Sequence, residues 1–328
     1  MLSKNQKRFI LILIALIVSI IIWNINASWG NNFLTCLILS ITTFLLIYTP
    51  FEIYWSFRDL WFDRWKRIKP EEFEIRKIII DVNGGKIHGE LVINRDKNLI
   101  EKVRKIIIIA HGFSDTKESL QYYYYPIALQ GYIIFAYDAR GIGESKKVGR
   151  RSDFIKRIDD FNRIIDWVKN QREFDNFDIY CAGFSIGAIT VLCGGFLRED
   201  IKKIIAISAV SLYRQNLPKY NLLILFSYAL KGVKLFPNKN ENEQLSPYLI
   251  LKKAKATMHT NIWETYAKKI LLIHSKNDKI IKFKNFIENR EILSINYDRH
   301  IILKKGGHSH KKNELALVGA SLRFFDTN

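Results

Sequence analysis

The chain has 328 residues, 48% of them hydrophobic, with 51 Lys and Arg against 32 Asp and Glu and three cysteines. This excludes a disordered or collagen-like chain and a dense disulfide framework. Cys36, Cys181 and Cys193 stand in apolar runs and are expected reduced. The formal charge of +19 raises nucleic acid as a partner, but residues 1–68 carry seven basic and three acidic side chains. The remaining basic residues are spread along 69–328 with no zinc-finger, zipper or RNP signature, so nucleic acid is set aside in favour of an anionic membrane surface.

Phe9 to Trp23 carries no charge, and with Asn24 to Ala27 it reaches the roughly 20 residues that a helix needs to cross a bilayer. A cleaved signal peptide would have a shorter apolar core and would not be followed at once by a second apolar run, Phe33 to Tyr48. The pattern predicts a two-helix transmembrane hairpin over 1–50, with spans at about 9–27 and 33–49. Lys4, Lys7 and Arg8 precede the first span, and Arg58, Arg64, Lys66 and Arg67 follow the second, which puts both ends in the cytoplasm. The bland alternative is a buried helical pair of a soluble protein. Over 51–70, Tyr54, Phe57, Trp61 and Trp65 recur at helical steps among charged residues, predicting an interfacial amphipathic helix.

From Phe73 the pattern changes to β-branched runs: Phe73 to Val82, Lys86 to Asn94, Lys105 to Ala110, Tyr132 to Tyr137, Phe177 to Ala182, Ile201 to Ile207, Lys269 to His274 and His300 to Leu303. Asn83-Gly84-Gly85 reads as a hairpin turn between the first two, and most later runs are continuous enough for parallel strands buried on both faces. Helical stretches such as Arg157 to Lys169 separate them. The alternation predicts an α/β fold over 71–328, a doubly wound, mostly parallel sheet opened by an antiparallel hairpin. Residues 209–268, with the apolar stretch Tyr220 to Phe236, read as a helical lid insertion.

Gly183-Phe184-Ser185-Ile186-Gly187 follows a strand and precedes a helix-compatible run, the setting that a nucleophile elbow needs. A hydroxyl is a weak nucleophile at neutral pH, so a base and an orienting acid are required later in the chain, acid first. Asp278 follows one strand and His308, in Gly306-Gly307-His308, follows the next. Both fall where open α/β sheets collect their active sites. His310 competes with His308, and a His308–His310 metal pair lacks a third ligand nearby. A serine, a base and an acid with backbone dipoles suffice for acyl transfer, so no metal or organic cofactor is expected. A carboxylate-dependent dehalogenase is excluded by Ser185.

With Ile109-Ala110-His111-Gly112-Phe113 after the third strand and Asp138-Ala139-Arg140-Gly141-Ile142-Gly143-Glu144-Ser145 after the fourth, the chain resembles the α/β-hydrolases over about residues 72–326. The likeness is to the monoglyceride lipase, lysophospholipase and serine aminopeptidase branch. Ala188 departs from relatives that carry a further Gly there, and the lid offers no match. The resemblance implies a Ser185–His308–Asp278 triad and an oxyanion hole of the Phe113 and Ile186 backbone N–H groups. Gly183, Gly187, Gly112 and a loop-ordering His111 would support them, and Asp138 with Arg140 would fix the fourth loop. The expected activity is hydrolysis of a small acyl ester, lipid-derived, by a membrane-anchored, cytoplasm-facing enzyme. The alternatives are a thioesterase or serine aminopeptidase, with Glu241, Glu243 or Glu264 holding the amine, and an inactive membrane interaction module.

Overall fold

The structure, a computed structural model, describes residues 4–61, 70–217, 226, 228–230, 232–295 and 297–327. The chain divides into two compact units, Met1–Lys66 and Arg67–Asn328.

The first unit is a pair of helices, Lys4–Ser28 and Phe33–Trp61. They are apolar over Arg8–Ser28 and Phe33–Tyr54, 21 and 22 residues, which is long enough for a bilayer, though a soluble core helix or a signal sequence can be as long and as apolar. Gly30, with φ at +78°, opens the turn between them, and Asn32 caps the second helix by accepting from the Thr35 N–H. Trp23 meets Phe33 edge-to-face at the turn, while Arg8 pairs with Glu52 at the other end, so the helices run antiparallel. The second helix continues through Pro50 to Trp61 rather than yielding to a separate helix at 51. The rest of the expected interfacial segment, 62–69, lies outside the described residues.

The second unit is built on one eight-stranded sheet in the order β1-β2-β4-β3-β5-β6-β7-β8. Its strands are β1 Phe73–Val82, β2 Gly85–Asn94, β3 Lys105–Ala110, β4 Ile133–Tyr137, β5 Asp178–Phe184, β6 Ile201–Ile207, β7 Ile270–Ser275 and β8 His300–Leu303. β1 and β2 form the predicted hairpin, with Val82 opposite Gly85 across Asn83-Gly84. β2 meets β4 antiparallel, and every later pairing is parallel. The parallel centre is buried on both faces, which is why β3 reads as Ile106 to Ile109 without alternation. Helix Phe154–Lys169 lays its stripe of Phe161, Ile164, Ile165 and Val168 on the sheet.

The expected lid is narrower than 209–268. Helices Pro247–Thr257 and Thr260–Lys268 put Leu251, Ala254, Trp263 and Ala267 into the main core, so they are structural helices of the fold. Much of the apolar stretch 220–236 lies outside the described residues. Phe226, Leu230 and Phe236 within it are exposed.

Candidate active site

Ser185 directly follows β5 and stands at the N-cap position of helix Ile186–Gly195 with φ 55° and ψ −111°, a conformation that L-residues avoid unless the surroundings impose it. Two glycines impose it here. A Cβ on Gly183 would lie 2.2 Å from the Gly187 carbonyl oxygen, and one on Gly187 would lie 2.0 Å from that of Ala110. The tight turn therefore leans on the end of β3, while the Ser185 N–H still donates to Ile207 at 2.9 Å.

Asp278 and His308 arrive from the loops after β7 and β8. These two loops are tied to each other: Lys276 N–H donates to Leu303 O, and Gly307 N–H donates to Asn277 Oδ1 at 2.9 Å. Gly306 and Gly307 hold φ of +123° and +61°, which swings the backbone so that the His308 ring turns inward. Its Nε2 lies 3.0 Å from Ser185 Oγ and its Nδ1 lies 2.8 Å from Asp278 Oδ2. Asp278 is 5% exposed, and its Oδ1 accepts from the backbone N–H groups of Ile280 and Ile281 at 2.8 and 2.9 Å. Burial works against its charge, but His308 and those two N–H groups outweigh it and hold the carboxyl below the ordinary range.

Ile186 is the first residue of its helix, where a backbone N–H has no intrahelical acceptor. Gly112, before Phe113, packs so closely that a Cβ would fall 2.4 Å from Asp115 Oδ2 and 3.6 Å from Phe184 O, so the two loops that bear Phe113 and Ile186 are neighbours. His111 fixes the first of them. Its Nε2 accepts from the Ala139 N–H at 2.8 Å, so Nδ1 carries the hydrogen and donates to Gly112 O at 2.7 Å. Burial pushes its pKa down to about 3, leaving it neutral.

Two contributions, from Lys117 and Ser208, were not legible from spacing. Lys117, 3% exposed, sends Nζ to Asp138 at 2.9 Å, Glu144 at 2.7 Å and Glu118 at 2.8 Å, locking the β3 loop to the β4 loop. Burial opposes its charge, and the three carboxylates more than restore it. The carboxylates alone have the look of a metal site, but the ammonium lies among them. Ser208, at the end of β6, donates to Asp278 Oδ2 at 3.0 Å and lies 3.1 Å from His310 Nε2. His310 is thus buried behind Asp278 and does not face Ser185. Asp138 accepts from the Lys117 and Glu144 N–H groups, and Arg140 makes a bidentate bond with Asp160, so both fix the β4 loop.

Beside Ser185, Phe113 stands edge-on to Phe154 at 5.5 Å, and Phe154 to Tyr213 at 5.9 Å. They belong to an apolar cluster with Ile189, Val210, Leu245 and Ile281, against which Ile186 packs.

Residues 101–256, just under half of the chain, match the family model described as serine aminopeptidase, S33. Among solved structures the chain is similar to an acylaminoacyl peptidase from Pyrococcus horikoshii at 20% identity and a TM-score of 0.55, covering 79% of this chain and 41% of that one. It therefore spans about two fifths of the peptidase's length. It is also similar to an esterase from Pyrococcus furiosus at 18% identity and a TM-score of 0.52, covering 79% of this chain and 94% of the esterase. Both likenesses show the fold. No curated protein matches the sequence.

Proposed function

We propose that the chain is a membrane-anchored serine hydrolase of the α/β-hydrolase superfamily that cleaves carboxylic esters of the monoacylglycerol or lysophospholipid class, a reading that the family match and the shared fold support. Ser185, His308 and Asp278 carry the reaction. The observation behind this reading is a single imidazole within hydrogen-bond reach of both a strained serine and a buried carboxylate. Ser185 Oγ attacks the ester carbonyl while His308 Nε2 takes its proton, and Asp278 steadies the imidazolium through Nδ1–H. The negative oxygen of the tetrahedral intermediate is met by the N–H groups of Ile186 and Phe113, each worth roughly 3 kcal/mol in the transition state. Collapse expels the alcohol, which leaves with the proton from His308. A water then repeats the sequence on the acyl-enzyme, releasing the fatty acid and restoring Ser185.

The anchor rests on the first unit. Phe9, Ile20, Phe33 and Leu46 are 59–70% exposed, and few residues of either apolar helix are buried, whereas a soluble helical pair would cover its apolar surface. Arg8 beside Glu52 supports both helix ends lying on one side, and the flanking basic residues support the cytoplasm as that side. The apolar cluster around Phe113, Phe154 and Tyr213 favours an acyl chain next to Ser185.

The family match favours a second reading, release of an N-terminal residue from a peptide. Two of the three acids named for its amine, Glu241 and Glu264, are poorly suited. Glu241 is committed to the capping box with Asn238 and to Lys234. Glu264 lines a cleft with Leu293 and Arg299, next to the start of β8 and the far end of helix Phe283–Leu293, roughly 16 Å of helix from the loop that carries Asp278.

The test is fluorophosphonate labelling in isolated membranes, followed by an acyl-chain series. Wild-type labelling that vanishes in Ser185→Ala, with kcat/KM rising as the acyl chain lengthens, is expected. Turnover confined to short soluble esters would overturn the lipid class, turnover of aminoacyl amides alone would favour the peptidase, and release by carbonate would remove the anchor.

A further inference from the structure

The hydrogen bonds around Asp278 do not stop at the triad. An ionised carboxylate offers about four lone-pair sites, and here four donors reach them. Ile280 N–H and Ile281 N–H take Oδ1, and His308 Nδ1 and Ser208 Oγ take Oδ2. Ser208 has a single hydroxyl hydrogen. If it is given to Asp278, the oxygen can only accept from its other neighbour, His310 Nε2 at 3.1 Å, which must then carry a hydrogen. The chain of donors reads His310 Nε2–H to Ser208 Oγ–H to Asp278 Oδ2. Both partners are buried, Ser208 at 1% exposed and His310 at 2%, so bulk water does not substitute for either.

We propose, on the reading that Ser185, His308 and Asp278 form the reacting triad, that Ser208 and His310 are positioning residues that fix the plane of the Asp278 carboxylate, and through it the ring of His308. Without the Ser208 donor, Oδ2 keeps only His308, and the carboxylate is free to rock about the Oδ1 bonds. Without the His310 donor, the Ser208 hydroxyl has no partner that dictates its rotation and can point its hydrogen away from Asp278. His310 in the opposite tautomer would do worse, since it would draw the Ser208 hydrogen to itself and leave two lone pairs facing each other.

Among the described residues, the titratable side chains facing Asp278 are His308 and His274. His274 lies 3.9 Å from Oδ2 on β7, but its Nε2 is bonded to Ile281 O at 2.8 Å, so it does not compete for the carboxylate. The placement also accounts for two backbone anomalies. Ser208 and His310 hold φ of +51° and +52°, a region that costs a non-glycine residue free energy, at the two ends of this one hydrogen bond.

The experiment uses the full chain in membranes or detergent, with p-nitrophenyl butyrate as substrate and Ser185→Ala as reference. Ser208→Ala is expected to lower kcat roughly tenfold to a hundredfold with KM unmoved, since a hydrogen bond to a charged group is lost. It is also expected to move the acid limb of kcat/KM to higher pH. The hydroxyl draws on the charge of Asp278, and without it the carboxylate favours the His308 imidazolium more strongly. His310→Leu should shift both quantities in the same direction, and His310→Gln, whose amide N–H can replace the Nε2–H, should recover most of the loss. If Ser208→Ala does not fold, Ser208→Gly removes the same hydroxyl without backbone strain. Wild-type kcat and acid limb in Ser208→Ala and His310→Leu, beside an inactive Ser185→Ala, would overturn the positioning role and leave the triad standing. A lowered kcat with an unmoved acid limb in every variant would also overturn it, as that is packing alone. Full turnover in Ser185→Ala would overturn both readings together.

Discussion

Asp278→Asn tests the site most sharply, because the structure dictates how the new amide must sit. Oδ1 accepts two backbone N–H groups, from Ile280 and Ile281. The Asn oxygen is compelled to take that place, since turning the NH2 there would set donors against donors and cost two buried hydrogen bonds. The NH2 then occupies the Oδ2 position, 2.8 Å from His308 Nδ1. As a donor it forces Nδ1 to accept, which moves the imidazole hydrogen to Nε2, the atom facing Ser185. An Nε2 that already carries hydrogen cannot take the serine proton. The substitution leaves the shape of the site unchanged and reverses the tautomer of His308, while the second amide hydrogen meets Ser208 Oγ, which must then accept and turn its own hydrogen toward an unprotonated His310 Nε2. The same reversal in a serine-protease triad lowers kcat about 10⁴-fold, roughly 5.5 kcal/mol of transition-state stabilisation, and that loss is expected here. Steady-state ester hydrolysis measures it, and the thermal melt should stay near wild type. Activity within tenfold of wild type would refute the argument that Asp278 sets the tautomer of His308.

Lys117→Met strips a buried ammonium from Asp138, which is 1% exposed, and breaking such a pair costs about 3–5 kcal/mol. A fall in melting temperature of roughly 6 °C or more is expected, and Lys117→Met with Asp138→Asn should recover part of it. Gly187→Ala places a methyl 2.0 Å from the Ala110 carbonyl, backbone against backbone, and should give no soluble folded protein. Gly307→Ala, with φ +61° and nothing within 4 Å, should cost only about 1–2 kcal/mol in a denaturant melt. His111, whose pKa burial pushes down to about 3, stays neutral in the folded chain while its unfolded counterpart takes a proton below about pH 6.5. The unfolded state then binds more protons, so stability should fall as pH drops from 6.5 toward 3, by roughly 1.4 kcal/mol per unit from this residue. Melts of His111→Asn across that range should show a flatter slope.

The sheet was legible because its interior is written in one residue type. Isoleucine runs bounded by turn residues give β1, β3, β6 and β8 their observed limits, and Asn83-Gly84 gives the hairpin turn. Ser185, Asp278 and His308 were legible because the order and spacing of loops past strand ends reflect the topology. Lys117 and Ser208 were not, for a physical reason: each acts through a partner that only the folded sheet brings near. Asp138 is 21 residues from Lys117, and Asp278 is 70 residues from Ser208. One signal was available. Ser208 directly follows a parallel strand at the same sheet edge as the elbow, and such a polar residue sits next to the site by construction. The lid was drawn too wide because a break in the alternation of strands and helices does not tell whether the helices inside it cover a pocket or, as at Leu251 and Trp263, enter the core. The second N-terminal helix runs past the expected span, through Pro50 to Trp61, because an apolar run marks the length that suits a bilayer and not the length of the helix that carries it.

Three of the positive-φ residues in this fold coincide with one chain of contacts around Asp278. Among the described residues, six non-glycine residues hold positive φ: Arg104, Ser185, Ser208, Ser294, His310 and Lys312. Arg104 and Ser294 close helices Lys97–Val103 and Phe283–Leu293, where a left-handed residue is the ordinary way to stop. Ser185, Ser208 and His310 have no such excuse, and all three belong to one chain of contacts, Ser185 to His308 to Asp278 to Ser208 to His310. Conformations of this kind cost about 1–3 kcal/mol each, against a net stability of order 5–15 kcal/mol for a typical domain. A fold that needed only to be stable would place glycine at all three. The side chains of Ser185, Ser208 and His310 are what glycine would remove, and they are the groups that make the contacts. The strain is held in place by the bonds that aim His308 at Ser185, so relieving it and retaining the aim are incompatible demands on the same residues.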